Sequence, residues 1–277
     1  MDSYDCTAKD GIKLAVHHWP CPSARAQVLV LHGYGEHAQR YDELGQTLVL
    51  AGYDVVAPDL RGHGTSGGPR HFVQHFSSYF DDFDVVCAKA DALAPGLPRF
   101  LLGHSFGGLV ALGELVDRGP TLLGLVLSSP FLRVKLVVPA WKLIAAKAAS
   151  KLYPQLSIPS GLSGAAVARD PEIAARYDVD PLNGKGATAG WYVEALRMQQ
   201  HVFEEAQRVT LPVLLLHGEA DQVADPVRSA EVFPRLGSAD KTLELVSGAY
   251  HEIFNEPPAD RRRIMARVVA WLDAHRP

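Results

Sequence analysis

The chain predicts an α/β protein: a mostly parallel central sheet flanked by helices. Two patterns predict it. Short apolar runs without polar alternation recur along most of the chain, as strands buried on both faces require. Between them lie segments whose apolar residues repeat at helical spacing. A third observation adds a feature: from about residue 131 to residue 208 the alternation stops and helical and loop patterns take over, punctuated by Pro139, Pro154, Pro159, Pro171 and Pro181. A structureless loop of that length is rare, so the segment is expected to be a helical cap inserted over the strand ends. The expected division is a core of residues 1–130 and 209–277 and a cap of residues 131–208.

The elements follow in order. Residues 12–19 read as a strand. The run QVLVLH at 27–32 is continuous and apolar, and YDVVA at 53–57 follows. The later strands are expected at 99–103, 122–128, 212–217 and 242–246. Leu44, Leu48 and Ala51 keep one helical face, as do Phe80, Phe83, Cys87 and Ala90. The second of these helices is preceded by Ser78 with Asp81 three residues on, a capping-box-like start. Ile264, Val268, Trp271 and Leu272 mark a final helix. In open parallel sheets, sites gather beyond the carboxyl ends of the strands.

Composition excludes several classes. A net charge of −4 and a pI near 6.3 give no basic face for a nucleic acid. Cys6, Cys21 and Cys87 are odd in number and lack C-x-x-C spacing, which argues against a disulfide framework and a zinc site. The first residues show no basic stretch leading into an apolar run, so no signal peptide is expected. The apolar stretch at 132–149 is broken by Arg133, Lys135, Pro139, Lys142 and Lys147, too often for a membrane span. A cytoplasmic protein is expected.

The chemistry lies in Gly103-His104-Ser105-Phe106-Gly107, which directly follows the expected strand at 99–103 and precedes an apolar helical pattern from Leu109 to Val116. G-x-S-x-G at a strand-to-helix turn is a nucleophile elbow, in which a strained serine stands clear of the sheet and flanking side chains would clash. A serine hydroxyl needs a base. His251 is the candidate, after the strand at 242–246. The base needs a carboxylate to hold its tautomer, and Asp221 is the candidate, after the strand at 212–217. The chain order Ser, Asp, His suits this arrangement. Asp225 and Glu219 are rival acids, with Asp221 preferred as nearer the strand end than Asp225. His104 is expected to pack or hydrogen-bond locally. Backbone N–H groups of Tyr34 and Phe106 are the expected oxyanion donors. The stretch from Asp59 to Ser66 (DLRGHGTS) matches no phosphate-loop pattern and reads as a structural turn.

Several blocks together resemble a known family. They are HGYGEH from His32 with Arg40-Tyr41, DLRGHGTS from Asp59, GHSFGG from Gly103, SSP from Ser128, HGEAD from His217 and GAYHE from Gly248. The chain resembles the monoacylglycerol lipase and lysophospholipase branch of the α/β-hydrolases, from Asp10-Gly11 to the last helix. The resemblance implies the α/β-hydrolase fold, with Ser105, Asp221 and His251 as triad and Tyr34 and Phe106 as oxyanion donors. It also implies a helical cap that shapes an acyl-chain tunnel. The likeness loosens at residues 152–164, so the cap leaves the substrate least determined. The expected activity is hydrolysis of monoacylglycerols or similar single-chain lipid esters through an acyl-enzyme. A lysophospholipase or a general esterase with the same triad is the alternative. No metal or organic cofactor is implied. Leu132, Leu136, Val137, Val138, Trp141 and Ile144 are candidates for transient membrane contact, with packing of the cap onto the core as the competing reading for most of them.

Overall fold

The computed structural model describes residues 1–135 and 140–276. The chain opens with a hairpin, β1 (Asp2–Thr7) and β2 (Lys13–Trp19), paired antiparallel. Then come β3 (Ala26–Leu31), α1 (Asp42–Leu50), β4 (Tyr53–Pro58), α2 (Ser77–Leu93), β5 (Arg99–His104), α3 (Phe106–Asp117) and β6 (Gly124–Ser128). Among the described residues these strands join two later ones in one eight-stranded sheet.

After β6 come α4 (Ala140–Leu152), β7 (Ser157–Pro159), α5 (Gly164–Val167), α6 (Pro171–Val179), β8 (Gly186–Thr188) and α7 (Ala189–Glu205). The chain ends with β9 (Val213–Gly218), α8 (Pro226–Val232), β10 (Lys241–Val246) and α9 (Pro258–His275). The sheet order is β1-β2-β4-β3-β5-β6-β9-β10. The pairs from β4 to β10 are all parallel, and β2 meets β4 antiparallel.

Side chains of one strand feed two cores, because successive residues point to opposite faces. Leu29 and Leu31 of β3 and Leu101 of β5 join Phe80, Phe83, Leu109 and Leu112 from α2 and α3. Val28 and Val30 of β3 and Phe100 and Leu102 of β5 join Leu44, Leu48, Ile264 and Trp271 from α1 and α9. Burial on both faces is why these strands read as unbroken apolar runs. Each fully buried large apolar side chain contributes about 1.5–3 kcal/mol. On α7, Trp191, Ala195, Met198 and Val202 form a stripe at helical spacing that belongs to the first of these cores. α7 is thereby packed onto the sheet by an apolar face.

Two readings change and a third is decided. β1 went unseen because DSYDCT is polar and largely exposed, an edge strand held by pairing rather than by burial. The capping box at Ser78 does not form: α2 begins one residue earlier, and Phe76 before it is already helical. The N–H of Phe76 donates instead to the Glu194 carboxylate on α7, at 3.0 Å. Asp81 pairs with Lys9 and Arg118. Leu132 is buried in the core, so the packing reading holds there, whereas Trp141 and Ile144 are 66% and 68% exposed. Leu136, Val137 and Val138 lie outside the described residues. Among the described residues, no helix is long and apolar enough to cross a membrane.

Candidate active site

Ser105 sits between the end of β5 and the start of α3 with φ 49° and ψ −114°. A side chain in that left-handed region costs about 1–3 kcal/mol and persists only where the surroundings enforce it. Here they do. The Ser105 N–H donates to the carbonyl of Ser128 at 2.9 Å, and its own carbonyl accepts from Leu109 N–H at 3.2 Å. A Cβ on Gly103 would lie 2.7 Å from the Gly107 carbonyl oxygen and from Gly108 Cα. One on Gly107 would fall onto the backbone of Leu31 and His32. Strand and helix cross too closely at this turn for any residue but glycine on either side.

The structure brings Ser105, His251 and Asp221 into one line. Ser105 Oγ lies 2.8 Å from His251 Nε2, and His251 Nδ1 lies 2.7 Å from Asp221 Oδ2. The second carboxylate oxygen accepts from the N–H groups of Val223 and Ala224, at 2.7 and 3.0 Å. Burial alone would raise the Asp221 carboxyl, yet the imidazolium of His251 and the hydrogen bonds from His217 and His251 hold it well below the carboxylate range. Burial opposes a charge on His251, but Asp221, Glu252 and Glu36 outweigh it and lift the imidazole above its ordinary value. An imidazole held in this way can take a proton from the serine hydroxyl.

The rival acids lie elsewhere. Asp225 caps α8 through the N–H of Val227 and pairs with Arg133, and Glu219 is exposed. His104 turns aside to Ser128 Oγ at 3.0 Å, and burial together with the charge of His251 lowers it to about 4.

Neither the Tyr34 nor the Phe106 backbone N–H has an acceptor among the described residues. Phe106 directly follows the serine, and a Cβ on Gly33, the residue before Tyr34, would be 3.2 Å from Ser105 Cβ. The loop after β3 is held by several contacts. The Gly33 N–H donates to Glu36 Oε1 at 2.6 Å, and the Tyr34 ring stacks on Trp191 at 3.6 Å between centroids. His32 Nδ1 donates to the Gly33 carbonyl at 2.7 Å, which leaves Nε2 to accept from Leu60 N–H. Asp59 ties the neighbouring turn by accepting from Ala38 N–H and from Thr65 N–H and Oγ1–H.

Ser105 and His251 open into a cavity of about 140 Å³. Its walls include Phe131 and Val134, Leu162 and Val167 around α5, and Trp191 and Tyr192 of α7. Two carboxylates, Glu36 and Glu252, reach it, and no lysine or arginine lines it among the described residues. No group of His, Cys, Asp and Glu among the described residues is arranged to hold a metal ion.

The profile of the serine aminopeptidase, S33, family matches residues 22–258. The monoacylglycerol lipase of Mycolicibacterium smegmatis is 33% identical over 96% of this chain and 94% of its own. The crystal structure of Paleococcus ferrophilus monoacylglycerol lipase superposes with a TM-score of 0.86 at 32% identity, covering 99% of this chain and all of that one. The phospholipase YtpA of Bacillus subtilis is 31% identical over 93% of this chain and 98% of its own.

The chain belongs to the monoacylglycerol lipase branch of the α/β-hydrolases. It is a serine hydrolase. Within that branch the HGYGEH block and its Arg-Tyr acquire a structural meaning that sequence reading missed. Arg40 donates to Glu36 at 2.6 Å and to both oxygens of Glu252 at 2.7 Å. Tyr41 donates to Glu36 at 2.7 Å, and the Arg40 guanidinium lies over the Tyr177 ring of α6. The signal was present as two acidic residues and an arginine in blocks adjoining the site. Their pairing across 212 residues was not readable. In this serine hydrolase the His251 loop is also tied to the end of α5, because the Glu252 N–H donates to the Val167 carbonyl at 2.8 Å.

Proposed function

We propose that this protein hydrolyses monoacylglycerols, or similar single-chain lipid esters, through an acyl-enzyme on Ser105. His251 takes the serine proton as Oγ attacks the ester carbonyl, then returns it to the departing glycerol oxygen. Water, deprotonated by the same imidazole, later frees the fatty acid. Asp221 holds the tautomer and stabilises the imidazolium. The N–H groups of Tyr34 and Phe106 receive the developing oxyanion. The observation that carries this reading is the hydrogen-bonded line from Ser105 to Asp221 opening into an apolar cavity walled by Phe131, Leu162, Val167 and Trp191. These side chains come from the proposed cap, residues 131–208.

A phospholipase reading draws on the likeness to the Bacillus subtilis protein. The cavity disfavours it, because a phosphate would face Glu36 and Glu252 with no lining cation among the described residues. Neither do those carboxylates suit the free amine of a peptide, since both already bind Arg40. A neutral glycerol head fits best. The enzyme works in the cytoplasm, where its unpaired Cys6, Cys21 and Cys87 stay reduced. It touches membranes transiently through the exposed face of α4.

The test is a chain-length series of monoacylglycerols beside lysophosphatidylcholine and p-nitrophenyl esters, with wild type and Ser105→Ala. Preference for monoacylglycerols, abolished by Ser105→Ala, supports the reading. Cleavage of p-nitrophenyl esters alone would leave the triad standing and remove the lipid. Full activity in Ser105→Ala would overturn the mechanism.

A further inference from the structure

We propose that Arg40 is a positioning residue for this reaction: by gripping Glu36 and Glu252 together it holds the loop of His251 in register with Ser105 and offsets one of the two carboxylate charges beside the imidazole. This rests on the roles proposed above for Ser105 and His251.

The geometry is that of a clamp. Arg40 comes from the short helical turn after β3, the same loop that carries Tyr34. Glu252 directly follows His251. The guanidinium meets Glu252 with two parallel bonds of 2.7 Å, a fork that fixes both distance and plane. A third bond of 2.6 Å goes to Glu36, whose other oxygen accepts from the Gly33 N–H beside Tyr34. One cation thus links the proposed oxyanion loop to the loop of the base. Asn255 adds a bond to Glu252 at 2.8 Å. The side chains of Arg40, Glu36 and Glu252 are 10% exposed or less, so solvent screens the trio little.

The charges matter as much as the grip. His251 faces Asp221 from the loop after β9, Glu36 from the loop after β3, Glu252 on its own loop and His104 at the end of β5. The three carboxylates favour the imidazolium, and His104 is held neutral by burial. Arg40 is the cation set against two of those carboxylates, and their attraction raises it well above the ordinary arginine value. Without it, Glu36 and Glu252 would hold the imidazole protonated to higher pH and less of it would be free to act as base. Arg40 borders the small recess behind Glu252 and not the cavity of Ser105, so it acts through His251 and does not touch substrate.

The test compares wild type, Arg40→Lys, Arg40→Met and the double variant Arg40→Met/Glu252→Gln, each checked for folding by circular dichroism. The readout is kcat and KM for a soluble p-nitrophenyl ester across the range in which an imidazole titrates. Arg40→Met is expected to lower kcat on the order of tenfold or more, with KM little changed, and to move the acidic limb up by about one pH unit. Arg40→Lys keeps the limb near wild type while kcat falls, because the fork is lost and the charge is not. The double variant brings the limb back towards wild type, because one uncompensated carboxylate is gone. A folded Arg40→Met enzyme with the wild-type profile would overturn the proposal, as would a limb that stays displaced in the double variant. Fluorophosphonate labelling of Ser105 in wild type separates the two layers. Its absence would overturn the nucleophile and this proposal together, whereas labelling with an unaltered Arg40→Met profile removes only the role of Arg40.

Discussion

Asp221 and His217 are joined through the same carboxylate oxygen that serves His251: Oδ2 lies 3.0 Å from His217 Nε2 and 2.7 Å from His251 Nδ1. An ionised carboxylate only accepts, so both rings donate to it, and both tautomers are set by one atom. The other nitrogen of His217 meets Ser229 Oγ at 2.8 Å, on α8. The acid is therefore braced from a helix as well as from its own loop.

Asp221→Asn should leave the fold intact and lower kcat by on the order of 10⁴, with KM changed far less. The amide can present its N–H to His251 and trap the wrong tautomer. Steady-state kinetics check it. A loss below about tenfold would mean that Asp221 is not the orienting acid.

Activity and stability should respond to pH in opposite senses. His251 is raised above 6.5, so it is protonated and unable to accept the serine proton until the pH passes that raised value. The rate should therefore climb through an acidic limb above pH 6.5. The stabilising pairing of the imidazolium is fully present below its ordinary value of 6.5 and fades as pH rises through the folded value. Asp221 works the other way, contributing above 3.8 and losing its contribution as pH falls through its depressed folded value. A rate limb below 6.5 would contradict the raised value of His251.

Ser105→Gly and Ser105→Ala should both be inactive and differ in stability. Alanine keeps the strain at φ 49°, whereas glycine relieves it. The glycine variant should be more stable by about 1 kcal/mol, read from thermal or denaturant unfolding. Equal stabilities would show that the elbow carries no strain of consequence.

Glu114 on α3 is buried, with Oε2 lacking a partner among the described residues, and burial raises its carboxyl to about 7. A carboxyl raised on folding holds its proton longer in the folded state, so stability should fall as pH rises from 4.5 towards 7. Glu114→Gln should remove that slope and raise the melting temperature by a few degrees in mildly alkaline buffer. An unchanged slope would place the effect in another group.

The exposed face of α4 should meet lipid. Trp141→Ser with Ile144→Ser is expected to reduce vesicle flotation and turnover of long-chain monoacylglycerols while sparing a soluble ester. Equal loss on both substrates would point instead to a packing role in the cap.

The parts of this protein that were legible in its sequence are those set by local rules. Runs such as VLVL in β3 announce a strand buried on both faces, and each residue of the proposed triad follows such a run. Glycines around Ser105 announce a turn in which a Cβ would strike backbone. Where burial was absent, the signal was too, and β1 passed unread because its pairing to β2 leaves its side chains exposed. Ser78 and Asp81 misled because a capping pattern states only a local option, which Glu194 of a distant helix displaced.

What the tertiary structure alone decided are the relations between distant residues. The union of Glu36, Arg40 and Glu252 is a case of this kind, as is the separation of buried Leu132 from exposed Trp141. The physical reason is common to all of them. Propensity and periodicity act over a few residues, whereas a distance across 212 residues is set by how two packed faces of a sheet bring its loops to one edge.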